Sequence, residues 1–328
     1  MQPFSISIVD DPSVAVATVT RDPHAAFIAG GTTIVDLMKN DITNPALLVD
    51  IDRLPYASIE RLPSGGLMIG ALAKMSDTAA HPLVKAGYPV VSQALLASAS
   101  SQLRNMASIG GNLMQRTRCY YFRDTGTACN KRKNGEGCTA LAGLNRIHAV
   151  VGGSNHCICT HPSDLAVALV AMDAIVHTRG ANGERRIPLS RFYTLPGTTP
   201  QIETVLHHGE LITGVELPPS ALAATSYYRK VRDRASYEFA LVSVAAGIHM
   251  GHGRIAAARL AFGGIAPIPW RSHDAEAALV GRPATHESFR HAAEVALHGA
   301  IGRTHNAFKI ELAKRTAVRA LASVGGIA

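Results

Sequence analysis

The sequence predicts an α+β fold of three folding units: two small α/β units in series, then a C-terminal domain of a small antiparallel sheet with helices. Three observations predict it. Short runs of branched apolar residues alternate with helical spacing through the first third of the chain. A Gly-, Asn- and Arg-rich stretch between residues 112 and 162 interrupts the pattern, which then resumes. Past residue 223 the chain turns to strand-like runs joined by Gly-His-Gly, followed by a helical tail. A length of 328 residues suits two or three such units.

Taken in order, FIAG (27–30) reads as a strand end. Residues 32–39 follow as a helix, with Ile34, Leu37 and Met38 apolar. LLVDI (47–51) is a buried strand, GGLMIGALA (65–73) another, and 89–100 a helix with a small-residue face. After the interruption, 163–174 is a helix with Ser163 as a good N-cap, and AIVHT (174–178) a strand. A boundary falls at LPPSALAA (217–224). Beyond it come an alternating segment at 226–232, strands at 241–250 and 255–262 around the turn at 251–253, and helices over 275–323. There is no internal repeat.

Hydrophobic residues make up 47% and charged residues 17%, a globular composition able to build a large core. The net charge of +8 raises nucleic-acid binding. Lys and Arg are spread along the chain, however, and aromatics are only 5%, so the basic stripe with stacking aromatics is missing. An anionic cofactor or an acidic partner explains the charge equally well. The N-terminus lacks a signal-peptide pattern, and no apolar run is long enough to span a membrane. The expected location is cytoplasmic, or periplasmic if a signal-bearing partner co-exports the folded complex.

Three turns carry binding chemistry. Gly30 and Gly31, followed by Thr32 and Thr33, sit between strand and helix, where glycine lets backbone N–H groups approach an anion closely. Ser108-Ile109-Gly110-Gly111-Asn112 repeats that chemistry, and Thr160-His161-Pro162-Ser163-Asp164 precedes a helix. Singly, each is explained by an ordinary turn or helix cap. Three in one unit point to a ligand bearing a diphosphate.

The five cysteines, Cys119, Cys129, Cys138, Cys157 and Cys159, fall within one 41-residue window. Structural disulfides in a chain this size would be more scattered, so clustering argues for a metal centre. The spacing C-x9-C-x8-C-x18-C, ending in C-x-C, lacks the short pairs of zinc fingers and suits a [4Fe–4S] cluster on a wrapped loop. Arg116, Arg118, Arg123, Lys131, Arg132, Lys133 and Arg146 outnumber Asp124 and Glu136 across 116–146, and such cations would favour thiolates on an anionic core. Geometry alone does not choose between Cys157 and Cys159. The 15 histidines are scattered without ligand spacing, Trp270 reads as packing, and neither a nucleophile elbow nor a phosphate-loop lysine motif is present.

AGGTTIVDLMK, ASIGGNL and THPSDLAVAL, in that order, resemble the FAD-binding subunits of the xanthine dehydrogenase and aldehyde oxidase family of molybdenum hydroxylases. YYRKVRDRASYEFALVSVA and ARLAFGGIAPIPWRSHDAEAAL resemble the C-terminal domain of the same subunits. The resemblance implies two FAD-binding subdomains of the PCMH type, at 1–57 and 58–222, with an iron–sulfur loop inserted at 113–161. A C-terminal domain of the molybdenum-hydroxylase flavoprotein type follows at 223–328.

It further implies that Ile28, Ala29, Gly30, Gly31, Thr32, Thr33 and Ile34, with Ser108, Gly111 and Asn112, hold the FAD diphosphate. Ser163 and Asp164 would contact the same cofactor, and Leu211, Ile212 and Lys230 would lie by the flavin ring. Thr33 stands where some relatives that use NAD carry an acid, which leaves the electron acceptor open. The RTRCxYFRD, CNKR and THPSD segments resemble periplasmic-type aldehyde oxidoreductases, which implies Cys119, Cys129, Cys138 and Cys157 as cluster ligands and Cys159 as a spare thiol.

The function implied is electron transfer from a large molybdenum-cofactor subunit, through a small subunit with two [2Fe–2S] clusters, to FAD and then to a small-molecule or protein acceptor. No catalytic residue is assigned to this chain. The alternatives are the FAD subunit of a xanthine dehydrogenase or 4-hydroxybenzoyl-CoA reductase-like complex, a stand-alone FAD oxidase, and a nucleic-acid-binding iron–sulfur protein.

Overall fold

The computed structural model describes residues 1–327. The first unit is a three-stranded parallel sheet in the order β1–β3–β2, formed by β1 (Ser5–Ile8), β2 (Ala25–Ile28) and β3 (Leu47–Asp50). Parallel neighbours need crossovers, and the helices Pro12–Arg21 and Ile34–Lys39 provide them. Asp11 caps the first helix by accepting from the Ser13 and Val14 amides at 2.6 and 3.0 Å, and proline fills the first turn. Its buried face of Ala15, Val16 and Val19 packs on Ala25 and Val49. Neither β1 nor this helix is predicted above, because exposed Ile6 and Ile8 blur the period of the edge strand.

The second unit is a five-stranded antiparallel sheet in the order β4–β5–β8–β6–β7. Its strands are β4 (Ile59–Arg61), β5 (Leu67–Gly70), β6 (Ile175–Gly180), β7 (Gly183–Pro188) and β8 (Leu211–Leu217). The run read as one strand at 65–73 shortens to β5: Gly65 turns with φ +87°, and Gly70 lies so close to the Tyr56 carbonyl that a Cβ would sit 2.2 Å from its oxygen. The predicted 89–100 helix ends at Ala97, where Ser98 turns extended and Ala99 takes φ 45°. The helix Asp164–Ala171 is buried along its whole length, capped by Ser163, and forms the centre of the largest core.

The C-terminal domain is a four-stranded antiparallel sheet, β12–β11–β10–β9, with β9 (Ser226–Val231), β10 (Val242–Gly251), β11 (Arg254–Gly263) and β12 (Trp270–Arg271). The hairpin joining β10 and β11 turns at His252 and Gly253, both with positive φ, which the right-handed strand twist favours. Val242, Val244, Ala246 and Ile248 face the helices His286–Ala296 and Phe308–Val324. Ala245, on the other face, joins Ala261 and Tyr228 in the core around Asp164–Ala171. The domain boundary is therefore a packed layer. No helix among the described residues is long and apolar enough to cross a membrane.

The stretch between 112 and 162 is more ordered than its composition implies. It contains the short helix Tyr120–Arg123, a 3-10 turn at Thr139–Leu141 and an antiparallel bridge between Cys129 and Cys138.

Candidate functional site

The two glycine turns, far apart in sequence, face each other across one cavity. Gly30 abuts the end of a neighbouring helix so closely that a Cβ would lie 1.9 Å from the Met106 carbonyl oxygen, and Gly31 needs φ +70°. Gly110 is held by its amide to the Ala71 carbonyl at 2.8 Å, while Ser108 Oγ accepts the Gly111 amide at 3.2 Å. Ile28 through Ile34, Ser108, Gly111, Leu211 and Ile212 all line this cavity of about 470 Å³. The sequence reading thus picked out residues from three separate segments that the fold gathers.

Thr32 and Thr33 continue into a second cavity of about 360 Å³, lined also by Asn112 and Asp164. Asn112 is fixed by accepting the Ser163 hydroxyl at 2.5 Å. Asp164 accepts from Ser98 Oγ at 3.0 Å, the Tyr228 hydroxyl at 2.6 Å and Lys230 Nζ at 2.8 Å. Burial and the Asp164 carboxylate hold the Tyr228 phenol well above its ordinary range, so it stays a donor. Ser163 and Lys230 line neither cavity; they brace Asn112 and Asp164 from behind.

Motif reading missed Asp36, Arg118 and Phe239 in the second cavity. The Arg118 guanidinium stacks 4.8 Å from the Phe239 ring and pairs with Asp36 at 2.9 Å. No local pattern signals this, since the three residues come from three distant segments.

All five cysteines border one small enclosed cavity. Among the described residues, no three Cys, His, Asp or Glu side chains close around a single point as one bound ion requires. Burial pushes the Cys119 thiol up to about 12 and raises Cys138, against backbone amides that favour the thiolates. The Cys157 thiol is pushed up by the hydrogen bond it donates to Cys159 and by burial, while Cys159, which accepts that bond, is lowered. Burial, with the charge of Lys309, takes the His148 imidazole down to about 4, so the ring beside Cys119 is neutral.

Lys131 lines the cysteine cavity, where its charge favours the thiolates of Cys157 and Cys159, but most of the loop cations make ion pairs elsewhere. Arg118 and Arg123 pair with Asp36, and Arg116 and Lys131 with Glu203. Arg146 pairs with Asp233. Arg132 closes the loop on itself through the carbonyls of Tyr121, Phe122, Asp124 and Thr127. They fasten the loop to the flanking domains, a role that a local charge count does not reveal.

A family model described as the FAD binding domain in molybdopterin dehydrogenase matches residues 2–220, and one described as the CO dehydrogenase flavoprotein C-terminal domain matches 217–324. With the paired glycine turns, these define an FAD-binding subunit of a molybdenum-containing oxidoreductase. The chain belongs to the medium-subunit flavoproteins of the xanthine dehydrogenase and aldehyde oxidase family.

It is 50% identical over 325 residues to the aldehyde oxidoreductase FAD-binding subunit PaoB of Escherichia coli (strain K12), covering 98% of each chain. It is 26% identical to the glyceraldehyde dehydrogenase medium chain of Sulfolobus acidocaldarius, over 85% of this chain and 82% of that one. Among solved structures, carbon monoxide dehydrogenase from Hydrogenophaga pseudoflava shares the fold with TM-score 0.77 and 24% identity, over 99% of this chain and 98% of that one.

Proposed function

We propose that this chain is the FAD- and [4Fe–4S]-binding electron-transfer subunit of a molybdenum-dependent aldehyde oxidoreductase. Its partners in this reading are a large molybdenum-cofactor subunit and a small subunit with two [2Fe–2S] clusters, and electrons leave to an external acceptor. The convergence of two glycine turns on one cavity carries the reading: Gly30, Gly31 and Gly111 line a common space, which suits a diphosphate. Identity of 50% to a subunit named for aldehyde oxidation supports the substrate class.

The chemistry of the lining residues supports both groups. A Cβ at Gly30 would strike the Met106 carbonyl, so packing against that helix end requires glycine there and leaves this part of the cavity wall as bare backbone. Thr32 and Thr33 add hydroxyl donors between the two cavities. Asn112 and Asp164, held by Ser163 and Lys230, offer fixed polar groups to a flavin in the second cavity. Bound FAD exchanges electrons between one-electron carriers and the acceptor. The cysteine loop offers only soft sulfur donors around its cavity, which suits iron–sulfur over hard cations. Cys119, Cys129, Cys138 and Cys157 are the proposed ligands.

The test is the spectrum, iron content and company of the purified chain. Flavin bands near ~450 nm, cysteine-dependent iron and co-purification with molybdenum and [2Fe–2S] subunits are expected. If the isolated chain oxidised aldehydes with a dye acceptor as fast as the complex, the subunit reading would be wrong.

A further inference from the structure

His148 lies within the cysteine loop and lines neither flavin cavity. Its Nε2 lies 3.1 Å from Cys119 Sγ, and the two residues are only 1% and 7% exposed. The backbone beneath the ring is clamped. The His148 carbonyl accepts from Lys309 Nζ at 2.9 Å and from Asn306 Nδ2 at 3.3 Å. Lys309 Nζ also donates to the carbonyls of Ile147 at 3.1 Å and Gly264 at 2.5 Å, and Asn306 Nδ2 to Ala149 at 3.2 Å. Lys309 and Asn306 are both fully buried.

Burying an ammonium to hold loop carbonyls opposes folding unless every proton is bonded, and here all three have acceptors. The helix Phe308–Val324, from the C-terminal domain, thus fixes one imidazole against one cysteine.

We propose that His148 is a positioning residue for the cluster: its Nε2–H donates a hydrogen bond to the Cys119 thiolate, and the Lys309–Asn306 clamp keeps it aligned. This rests on the cluster reading above. Hydrogen bonds to cluster sulfur set reduction potential, and a donor favours the form with more negative charge. When the cluster gains one electron, no proton moves. His148 keeps its N–H, which then faces a more negative sulfur and binds it more strongly.

The experiment is an EPR-monitored redox titration of the assembled complex at low temperature, comparing the unaltered protein with His148→Phe and His148→Gln. Glutamine keeps an N–H donor of similar reach; phenylalanine removes it. In His148→Phe the ratio of reduced to oxidised cluster at fixed potential should fall about tenfold, which for a one-electron couple is about 59 mV more negative. His148→Gln should stay near the unaltered midpoint. The exchangeable-proton coupling seen by pulsed EPR should vanish in the Phe variant and persist in the Gln variant.

An unchanged midpoint in His148→Phe with unaltered iron content overturns the proposal, as does a Gln variant shifted as far as the Phe variant. If His148→Phe fails to load iron, the Gln midpoint decides by itself. Absence of any cubane signal or cysteine-dependent iron in the unaltered complex would instead overturn the cluster reading, and this inference with it.

Discussion

The Lys230 ammonium lies 2.8 Å from the Asp164 carboxylate, with the two side chains 4% and 5% exposed, so a strand of the C-terminal domain neutralises a charge buried beside the glycine turns. Removing one partner of such a pair leaves the other uncompensated, at about 3–5 kcal/mol. Lys230→Met should lower stability by that order and release flavin. Lys230→Met combined with Asp164→Asn should recover most of the stability. Denaturant midpoints and flavin content measure both. A single variant as unstable as the double would break the pairing argument.

Two glycines one residue type apart from alanine should behave differently. Gly30→Ala forces a Cβ against the Met106 backbone at 1.9 Å, and about 1–3 kcal/mol or more of overpacking should be visible in the melting temperature. At Gly111 a Cβ meets only the Ser108 hydroxyl, at 3.0 Å. Gly111→Asp should therefore fold, yet bind FAD at least ~tenfold more weakly, ~1.4 kcal/mol, because it adds a carboxylate to the wall of the diphosphate cavity. Normal flavin stoichiometry in the folded Asp variant would remove that loop from the cofactor site.

The cysteines separate by replacement. Cys159→Ser should retain about four irons per chain in the cubane, while Cys157→Ser should lose or distort it. The two thiols border the same cavity, so the reverse result would move the fourth ligand to Cys159. Full iron in all five single variants would refute cysteine ligation.

Acid stability should depend on Glu210, next to Leu211 in the wall of the first cavity. Burial opposes its ionisation, but the Thr178 hydroxyl, the His207 amide and Arg185 outweigh it and hold the carboxyl below its ordinary value. A carboxyl with a lower pKa folded than unfolded adds stability that is complete above the unfolded value of about 4.3 and disappears as pH falls through the folded value. Glu210→Gln should cost about 1–3 kcal/mol at neutral pH. Urea unfolding from pH 7 to 3 should show this deficit shrinking only in the acid range; a constant deficit contradicts the linkage.

Much of the site was legible because its chemistry is local. Glycine pairs at 30–31 and 110–111, Ser163 before a helical run, and five clustered cysteines each follow from what one short segment must do with its own backbone or sulfur. The C-terminal hairpin was legible for the same reason, since the His252–Gly253 turn needs positive φ at both residues. The edge strands β1, β4 and β7 were not, because short or half-exposed strands carry no clear period.

By itself, then, the sequence determined the type and order of the three units, where the glycine turns fall, and which segment carries the sulfur. The tertiary structure alone decided what those pieces meet. It set β8 between β5 and β6, brought Lys230 to Asp164 and Asp36 to Arg118 and Arg123, and locked His148 under Lys309. Each of these depends on burial, which lowers the dielectric and makes an unpaired charge or amide costly, and burial is a property of the assembled layers that no single segment possesses.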